Sequence, residues 1–475
     1  MKIYHHNFSA ISLGLLVALS TYIPLNAHAS GAGTISNEPL FTTLSVEPNV
    51  FFMLDDSGSM DSDMLTPYFS PSFISGATGG YVVFSSAGRE YYWSYSIDVS
   101  DNQFNNEFLP PQENADALGG NAATTMAGVW RGRNHNFNVT YYNPNIDYLP
   151  WGGEDINGLA YGNADPLAAR INAYNPSSGT VNLTLNQSGT TRRPSESGES
   201  GSSRSMSYNY FPARYWVWEE DTVDSETTDG VDSFVNTNDR HTLVEIKPSN
   251  ECSTGQNPLD NGCFIRSYND EIQNFANWWQ YHRRREYAMK FAVSNVIAPS
   301  TGTRMGMSTI NASSSEEREI ASMNSEVGSG NKRLLLRTLF TVQSGSGTPL
   351  ETALNSAGDY YECRNDNNLF GNTNCPIQTN VVPPATQAAG VCQSNFTILL
   401  TDGFLTDSIS GIGNADGDSS SYTDGGVTYR FGGNPYSDSR SNTLADIAQH
   451  YYERDLADGS NSSPDLENRV PTSET

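Results

Sequence analysis

Two short apolar runs mark the predicted sheet, and each ends abruptly in polar residues. The first covers Asn49–Leu54 and the second covers 396–400. Such runs are typical of central strands whose two faces are both covered, because a half-exposed strand would alternate apolar and polar residues. A third run at 305–310 supplies another strand. The pattern therefore predicts three buried strands that lie far apart along the chain.

Helical periodicity alternates with these strands. A long apolar stripe with a repeat near 3.6 residues covers 271–297, and shorter helices are predicted at 333–342, 349–361 and 443–454. Strand–helix alternation predicts an α/β fold, with a doubly wound, mostly parallel sheet and right-handed crossovers.

The stretch from 63 to 262 does not have this pattern. It contains no sustained helical period and is rich in Tyr, Asn, Gly and Ser. A crossover of this length is not a simple connection, so we expect a large β or irregular insertion. The predicted organisation is an N-terminal segment with the first strand at 30–62, the inserted subdomain at 63–262, and the rest of the sheet domain at 263–475.

The N-terminal residues 1–29 have the features of a secretory signal peptide. Lys2 precedes a short apolar segment, and Ala27 and Ala29 supply the small residues of a cleavage site after Ala29. A membrane anchor is the competing interpretation, but the apolar segment is too short to span a bilayer and Pro24 interrupts the residues after it. We expect an exported protein that is not itself inserted in a membrane.

Cysteine usage agrees with export. Cys252 and Cys263 flank a turn-rich loop and predict a local disulfide. Two of Cys363, Cys375 and Cys392 could pair, and the sequence does not say which. A zinc site is the alternative, but the chain has no Cys-x-x-Cys motif and no histidine near either group of cysteines.

The charge of the chain excludes some classes of partner. Asp and Glu outnumber Lys and Arg by 53 to 26, for a formal net charge of −27. A field of this sign repels phosphate backbones and anionic lipid, so nucleic-acid binding is not expected. A negative field is compatible with the binding of divalent cations.

The candidate chemistry lies where the predicted strands end. Asp55, Ser57 and Ser59 come after the first strand, Thr348 lies in a Gly-rich turn before a helix, and Asp402 comes after the strand at 396–400. Because the carboxyl ends of parallel strands form the ligand crevice of an open sheet, these side chains should meet. Hydroxyl and carboxylate oxygens suit a hard divalent cation, with Mg²⁺ preferred over Mn²⁺ or Ca²⁺. An acidic partner side chain would complete its coordination.

This order of motifs resembles the metal-ion-dependent adhesion site of von Willebrand factor type A domains. Asp55, Ser57 and Ser59 match its D-x-S-x-S element, Thr348 matches its isolated threonine and Asp402 its final aspartate. The resemblance implies a type A-like fold and a function in adhesion.

Further segments resemble the PilY family of type IV pilus-tip proteins. They are PNVFFMLD at 48–55, YYNP at 141–144, YLPW at 148–151, NFANWWQY at 274–281, CQSNF at 392–396 and SNTLAD at 441–446. The resemblance implies an adhesion and pilus-assembly protein of the periplasm, outer surface or pilus tip. Its partners would be type IV pilus subunits or minor pilins and a host or surface receptor offering a carboxylate.

In that family a β-propeller with a calcium loop comes after the N-terminal region, and nothing in this chain resembles it. We therefore expect a fragment of a longer protein, cut before the last strand and helix of the type A-like domain. The alternatives are a generic extracellular or periplasmic type A domain scaffold without a link to pili, and a metal-assisted hydrolase. The hydrolase lacks a nucleophile and a second carboxylate cluster, so no enzyme activity is expected.

Two weaker sequence signals have simpler interpretations. The segment 414–418 has the beginning of a calcium-loop rhythm but lacks the required Gly and Glu, which favours a solvated surface loop over a second, weak calcium site. The basic run 283–285 lies within the predicted long helix and is interpreted as its solvated face.

Overall fold

The structure is a computed structural model of the chain. It describes residues 46–61, 63, 65, 82–86, 89–92, 133–136, 138–191, 206–219, 240–311, 316–324, 330–363, 369–370, 375–379, 389–403, 405–417, 421–424, 427–430, 437–453 and 456. The predicted signal peptide at 1–29 lies outside the described residues. Among the helices in the described part, none is long and apolar enough to cross a membrane.

The regular elements of the described residues alternate between strands and helices in the second half of the chain. The strands are β1 (Asn49–Leu54), β2 (Val82–Ser86), β3 (Arg89–Tyr92), β4 (Ala169–Arg170), β5 (Thr180–Val181), β6 (Gln187–Thr191), β7 (Met206–Tyr210), β8 (Arg214–Glu219), β9 (Arg240–Glu245), β10 (Arg304–Thr309), β11 (Arg318–Ser322), β12 (Asn395–Leu400), β13 (Ser421–Asp424) and β14 (Val427–Arg430). The α-helices are α1 (Pro258–Asn261), α2 (Tyr268–Tyr281), α3 (Arg285–Ile297), α4 (Gly330–Thr341), α5 (Leu350–Tyr361) and α6 (Leu444–Tyr452).

The central sheet has the strand order β11-β10-β1-β12. β1 pairs in parallel with β10 on one side and with β12 on the other, over all six of its residues. β11 pairs with β10 in the antiparallel direction, and the sequence pattern did not predict it. The fold is therefore mixed α/β with a sheet that contains parallel strands.

Both faces of β1 are buried, as its continuous apolar run predicted. Phe52 and Leu54 belong to a core cluster that includes residues of α2, α3 and α4. Phe51 and Met53 point to the other face and pack in a second cluster with residues of α5. Because successive side chains of a strand point to opposite faces, one short strand contributes to two separate cores. This burial explains why its sequence shows no alternation.

The prediction of one long helix at 271–297 is wrong in one respect. The structure has two helices here, α2 and α3, which are separated at 282–284. His282 ends α2, and its Nε2 lies 2.8 Å from the Leu149 carbonyl oxygen. Arg283 donates to the carbonyl oxygens of Trp279 and Ile171, each at 2.7 Å. No glycine or proline marks the break. Tertiary contacts to the stretch 149–171 therefore replace the helical hydrogen bonds.

The other predicted helices are found with small changes at their ends. Pro349 precedes α5 instead of lying in its first turn, and the Asp407 carboxylate accepts from the backbone N–H groups of Glu351 and Thr352. Thr443 and Asp446 form a capping box at the start of α6. These caps satisfy N–H groups that have no partner within the helix.

The predicted insertion at 63–262 packs against the same helices as β1. Its described strands form two-stranded antiparallel pairs, β2–β3, β4–β5, β6–β7 and β8–β9. Tyr142 and Trp151 are buried in the cluster that contains Phe52. The Tyr142 hydroxyl donates to Glu271 Oε1 at 2.9 Å, and burial raises the pKa of the Glu271 carboxyl. The stretch thus shares a core with α2, while the domain boundaries stay a prediction.

The structure confirms the predicted disulfide between Cys252 and Cys263. It also pairs Cys363 with Cys375, a choice that the sequence left open.

The helix break makes His282 a source of pH-dependent stability. Burial lowers the pKa of its imidazole to about 4, although the bond to Leu149 opposes the shift. The folded state therefore prefers neutral His282, and this contribution to stability is complete above pH 6.5 and is lost as the pH falls towards 4.

We expect the stability advantage of the native protein over His282→Gln to shrink by about 1–3 kcal/mol between roughly pH 7.5 and pH 4.5. Urea unfolding of both proteins at several pH values measures this difference in the free energy of unfolding. A constant difference between native protein and His282→Gln would contradict the assignment.

Candidate metal-ion site

The ends of β1 and β12 bring two of the candidate carboxylates together. Because the two strands are parallel neighbours in register, the residues immediately after them emerge at the same edge of the sheet. The backbone N–H of Asp55 donates to the Leu400 carbonyl oxygen at 2.9 Å, and the Thr401 hydroxyl donates to Asp55 Oδ2 at 2.6 Å. Asp55 is fully buried, and Asp402 comes directly after Thr401.

A chain of hydrogen bonds links four of the five candidate residues. Asp55 Oδ1 accepts from the backbone N–H of Ser57 at 2.7 Å, and the Ser57 and Ser59 hydroxyl oxygens lie 3.0 Å apart. The Ser59 hydroxyl donates to Asp402 Oδ1 at 2.9 Å. A hydroxyl has one proton, so Ser59 must accept from Ser57 in the bond between them. Both oxygens keep lone pairs that are suitable for a cation.

The backbone places the fifth candidate, Thr348, beside this chain. Gly58 N–H donates to the Ser346 carbonyl oxygen at 2.9 Å, and Gly345 N–H donates to the Asp56 carbonyl oxygen at 3.0 Å. Thr348 itself is buried, and its N–H donates to the Thr406 hydroxyl at 2.9 Å. Among the described residues, no hydrogen bond joins the Thr348 side chain to the other four candidates.

The interpretation of 283–285 as a solvated helix face is wrong. Arg284 and Arg285 are only 2% and 7% exposed. Arg285 Nη1 donates to Asp402 Oδ2 at 2.5 Å, and Arg284 donates to Asp61 Oδ1. The break after α2 is the reason, because it turns the first residues of α3 towards the loops after β1 and β12. Sequence periodicity extended the helix through this point and so missed both arginines.

Glu286, the next residue of α3, contacts the third loop of the site. Its Oε2 accepts from the Ser344 hydroxyl at 2.7 Å, and its Oε1 accepts from Lys290 one turn later. Lys290 also donates to the Val342 carbonyl oxygen at 2.8 Å. Arg284, which caps α3, and the first two residues of α3 therefore contact the loops after β1, after β12 and before α5.

Another residue that the sequence did not indicate is Asn311. Its amide nitrogen donates to Asp56 Oδ1 at 2.7 Å and to the Gly347 carbonyl oxygen at 2.9 Å. It therefore connects the loop after β1 to the loop that carries Thr348. Burial raises the pKa of the Asp56 carboxyl, and the hydrogen bonds from Asn311 act in the opposite direction.

The donor set fits a hard cation that is held mainly by hydroxyl groups. Asp55, Ser57, Ser59, Thr348 and Asp402 offer only oxygen, the element that Mg²⁺ and Mn²⁺ prefer. In the described part of the chain, no group of three or more His, Cys, Asp and Glu side chains is arranged to hold a metal ion. An ion here would therefore depend on the two serines and on Thr348.

The segment at 414–418 is less exposed than the predicted surface loop. Ala415 and Asp416 are buried, and Asp416 N–H donates to Asp446 Oδ1 at 3.4 Å. Asp418, which the calcium-loop alternative requires, lies outside the described residues. Asp416 thus contributes to local packing around the start of α6.

No protein-family model matches the chain, and no solved structure matches it. Curated relatives are found in Pseudomonas aeruginosa. The protein named type IV pilus biogenesis factor PilY1 of strain PAK is 25% identical over 99% of this chain and 33% of its own length. Its counterpart in strain UCBPP-PA14 is 24% identical over 95% of this chain and 31% of its own length. The chain thus spans about a third of the length of the curated relatives that it matches. Similarity to PilY1 proteins over nearly the whole chain supports a PilY-like family.

Proposed function

We propose that the chain is part of an exported, non-enzymatic type IV pilus protein that takes part in adhesion and pilus assembly through a divalent-metal site. The relatives named PilY1 support the link to type IV pilus biogenesis. Pilus subunits or minor pilins are the proposed internal partners, and a surface receptor with an accessible carboxylate is the proposed external one.

The sheet supports a type A-like architecture for this protein. β1 is the central parallel strand, helices cover both of its faces, and an antiparallel strand closes the edge beside β10. The stretch 63–262 would be a large insertion between β1 and the next helix of the sheet domain. We propose this doubly wound arrangement as the scaffold that holds the metal loops.

The observation that carries the proposal is the hydrogen-bonded chain from Ser57 through Ser59 to Asp402. Ser59 and Asp402 are 343 residues apart in the sequence and meet at the carboxyl edge of two parallel strands. Ordinary turn chemistry would satisfy each loop locally, as Asp55 does with the Ser57 N–H. A hydroxyl-to-carboxylate link between two distant loops instead brings oxygen atoms of both loops to one place and leaves lone pairs on both hydroxyl oxygens, which supports a shared cation.

A bound ion would supply positive charge for a partner carboxylate. Ser57, Ser59 and Thr348 would hold it through neutral oxygens, which leave most of its charge unneutralised. Asp55 and Asp402 would orient the hydroxyl and backbone groups around it, because their oxygens already accept hydrogen bonds from these loops. Asn311 would keep the Thr348 loop in place.

The test of the site is Ser57→Ala, which removes one hydroxyl ligand and leaves the Asp55 hydrogen bond to the backbone intact. We expect Mn²⁺ affinity, measured by calorimetry, to fall by about 10- to 100-fold with little change in the unfolding midpoint. Ser356→Ala, at a partly exposed serine on α5, is the matched control and should bind Mn²⁺ as the native protein does. Equal affinity in Ser57→Ala and native protein would refute the site.

The pilus role is tested separately by co-purification of the chain with pilin fibres in Mg²⁺ and in chelator. The native chain should co-purify in Mg²⁺ and be lost in chelator, and Ser57→Ala should be lost in both. A chain that binds Mn²⁺ but never fibres would instead favour a type A scaffold protein without a link to pili. Turnover of ester or phosphate substrates would favour the hydrolase.

A further inference from the structure

The candidate site contains a cation of its own, the guanidinium of Arg285. The side chains of Arg285 and Asp402 are 7% and 5% exposed, and Nη1 lies 2.5 Å from Asp402 Oδ2. The other carboxylate oxygen of Asp402 accepts from Ser59. Both oxygens of the final candidate carboxylate are therefore already engaged, one of them by a buried positive charge.

This ion pair changes the charge balance of the site. Asp55 and Asp402 together carry two negative charges, and Arg285 cancels one of them. With a divalent ion on the neutral hydroxyls beside them, the group formed by Asp55, Asp402, Arg285 and the ion would carry one net positive charge, whereas without Arg285 the same group would be neutral. Charges in a buried place interact strongly because water screens them little.

We infer that Arg285 weakens divalent-ion binding at the Ser57–Ser59–Asp402 site and makes it conditional on a partner carboxylate. The guanidinium repels the ion and offsets the negative charge of Asp402 that would otherwise attract it. A carboxylate that reaches the ion neutralises the excess charge, so the ion and the acidic partner strengthen each other's binding. This reciprocity is a consequence of linkage, since each ligand raises the affinity for the other by the same factor.

The fold keeps Arg285 in this place from both sides. The preceding residue, Arg284, pairs with Asp61 in the loop after β1, and the next residue, Glu286, accepts from Ser344. Its two neighbours are anchored and its own side chain is 7% exposed, so Arg285 is held beside Asp402 by its surroundings as well as by the ion pair. The repulsion is therefore a lasting property of the site.

The inference rests on the proposed metal site, and Arg285→Gln tests it. This change removes the charge and keeps a hydrogen-bond donor of similar polarity. We expect Mn²⁺, titrated alone by calorimetry, to bind Arg285→Gln at least about tenfold more tightly than it binds the native protein. Arg285→Lys keeps the positive charge that repels the ion and should stay within about threefold of the native affinity.

A matched control separates this local effect from the overall charge of the chain. Arg240 is exposed and pairs with Glu219 and Asp260, so Arg240→Gln removes the same unit of charge elsewhere. It should leave Mn²⁺ affinity within about threefold of native, because exposed charges are screened. An equal increase in Mn²⁺ affinity in Arg240→Gln and Arg285→Gln would overturn the inference.

The remaining outcomes distinguish the role of Arg285 from the existence of the metal site. Equal Mn²⁺ affinity in native protein and Arg285→Gln would overturn the role of Arg285 and leave the metal site standing. Absence of Mn²⁺ binding to both would overturn the site and, with it, the inference.

A second measurement needs no variant and so does not depend on the folding of Arg285→Gln. Mn²⁺ is titrated into the native protein in sodium acetate and in sodium chloride of equal ionic strength, with correction for acetate binding to free Mn²⁺. Acetate should raise the apparent affinity at least about threefold, as a small carboxylate that completes the site. Equal affinity in the two salts would overturn the conditional binding.

Discussion

Replacing Trp151 by alanine should lower the free energy of unfolding by about 3–5 kcal/mol, the usual cost of removing a large aromatic side chain from a core. Trp151 is 3% exposed, stacks on Phe340 of α4 with ring centroids 5.2 Å apart, and meets Tyr281 and Tyr287 edge-on. Its indole N–H donates to the Tyr281 carbonyl oxygen at 2.8 Å. The change would therefore leave a cavity and a carbonyl group without its donor.

The same experiment tests whether the stretch 63–262 folds together with the sheet. Trp151 belongs to that stretch, and these contacts are with helices of the second half of the chain. If the two share one core, Trp151→Ala should shift a single urea transition seen by far-ultraviolet circular dichroism. Leu149→Ala is the control, because Leu149 is 60% exposed and its loss should cost less than about 0.5 kcal/mol. A small effect of Trp151→Ala, or a separate transition, would contradict a shared core.

Lys290→Met should be equally destabilising, by about 3–5 kcal/mol, because it leaves a buried carboxylate without its positive partner. Lys290 and Glu286 are each 3% exposed at the side chain and lie one turn apart on α3. Lys290 also donates to the Val342 carbonyl oxygen, which loses its partner in the variant. The methionine chain fills a similar volume, so the expected loss comes from charge and not from a cavity.

A double variant separates the charge effect from packing. Glu286→Gln combined with Lys290→Met leaves no charge on this pair, and the glutamine can still accept from the Ser344 hydroxyl. We expect it to recover at least half of the stability lost in Lys290→Met alone. Urea unfolding of the native protein, both single variants and the double variant measures the coupling. Additive losses would show that the two side chains act independently.

These predictions concern contacts that local sequence patterns did not reveal. The stripe at 271–297 continued without a glycine or proline, so it predicted one helix and exposed arginines. The break occurs because Arg283 donates to Ile171 and His282 contacts Leu149, both more than a hundred residues away in the chain. Periodicity describes which face of an element is buried, but it contains no information about such distant partners.

By itself, the sequence determined the positions of β1, β10 and β12, the burial of both faces of β1, and the disulfide between Cys252 and Cys263. It also placed Asp55, Ser57, Ser59 and Asp402 at strand ends, because the apolar runs of β1 and β12 change to polar residues at the point where each strand ends. These features depend on residues that are close together in the sequence, so they can be read from the sequence directly.

Only the tertiary structure decided the partner of Cys363, the pairing of β11 with β10, the common core of Trp151 with α4, and the burial of Arg284, Arg285 and Glu286 among the site loops. Each depends on which distant segments meet, and that choice comes from packing the whole chain at once. The guanidinium beside Asp402 belongs to this second group because no local pattern distinguishes a buried arginine at a helix start from a solvated one.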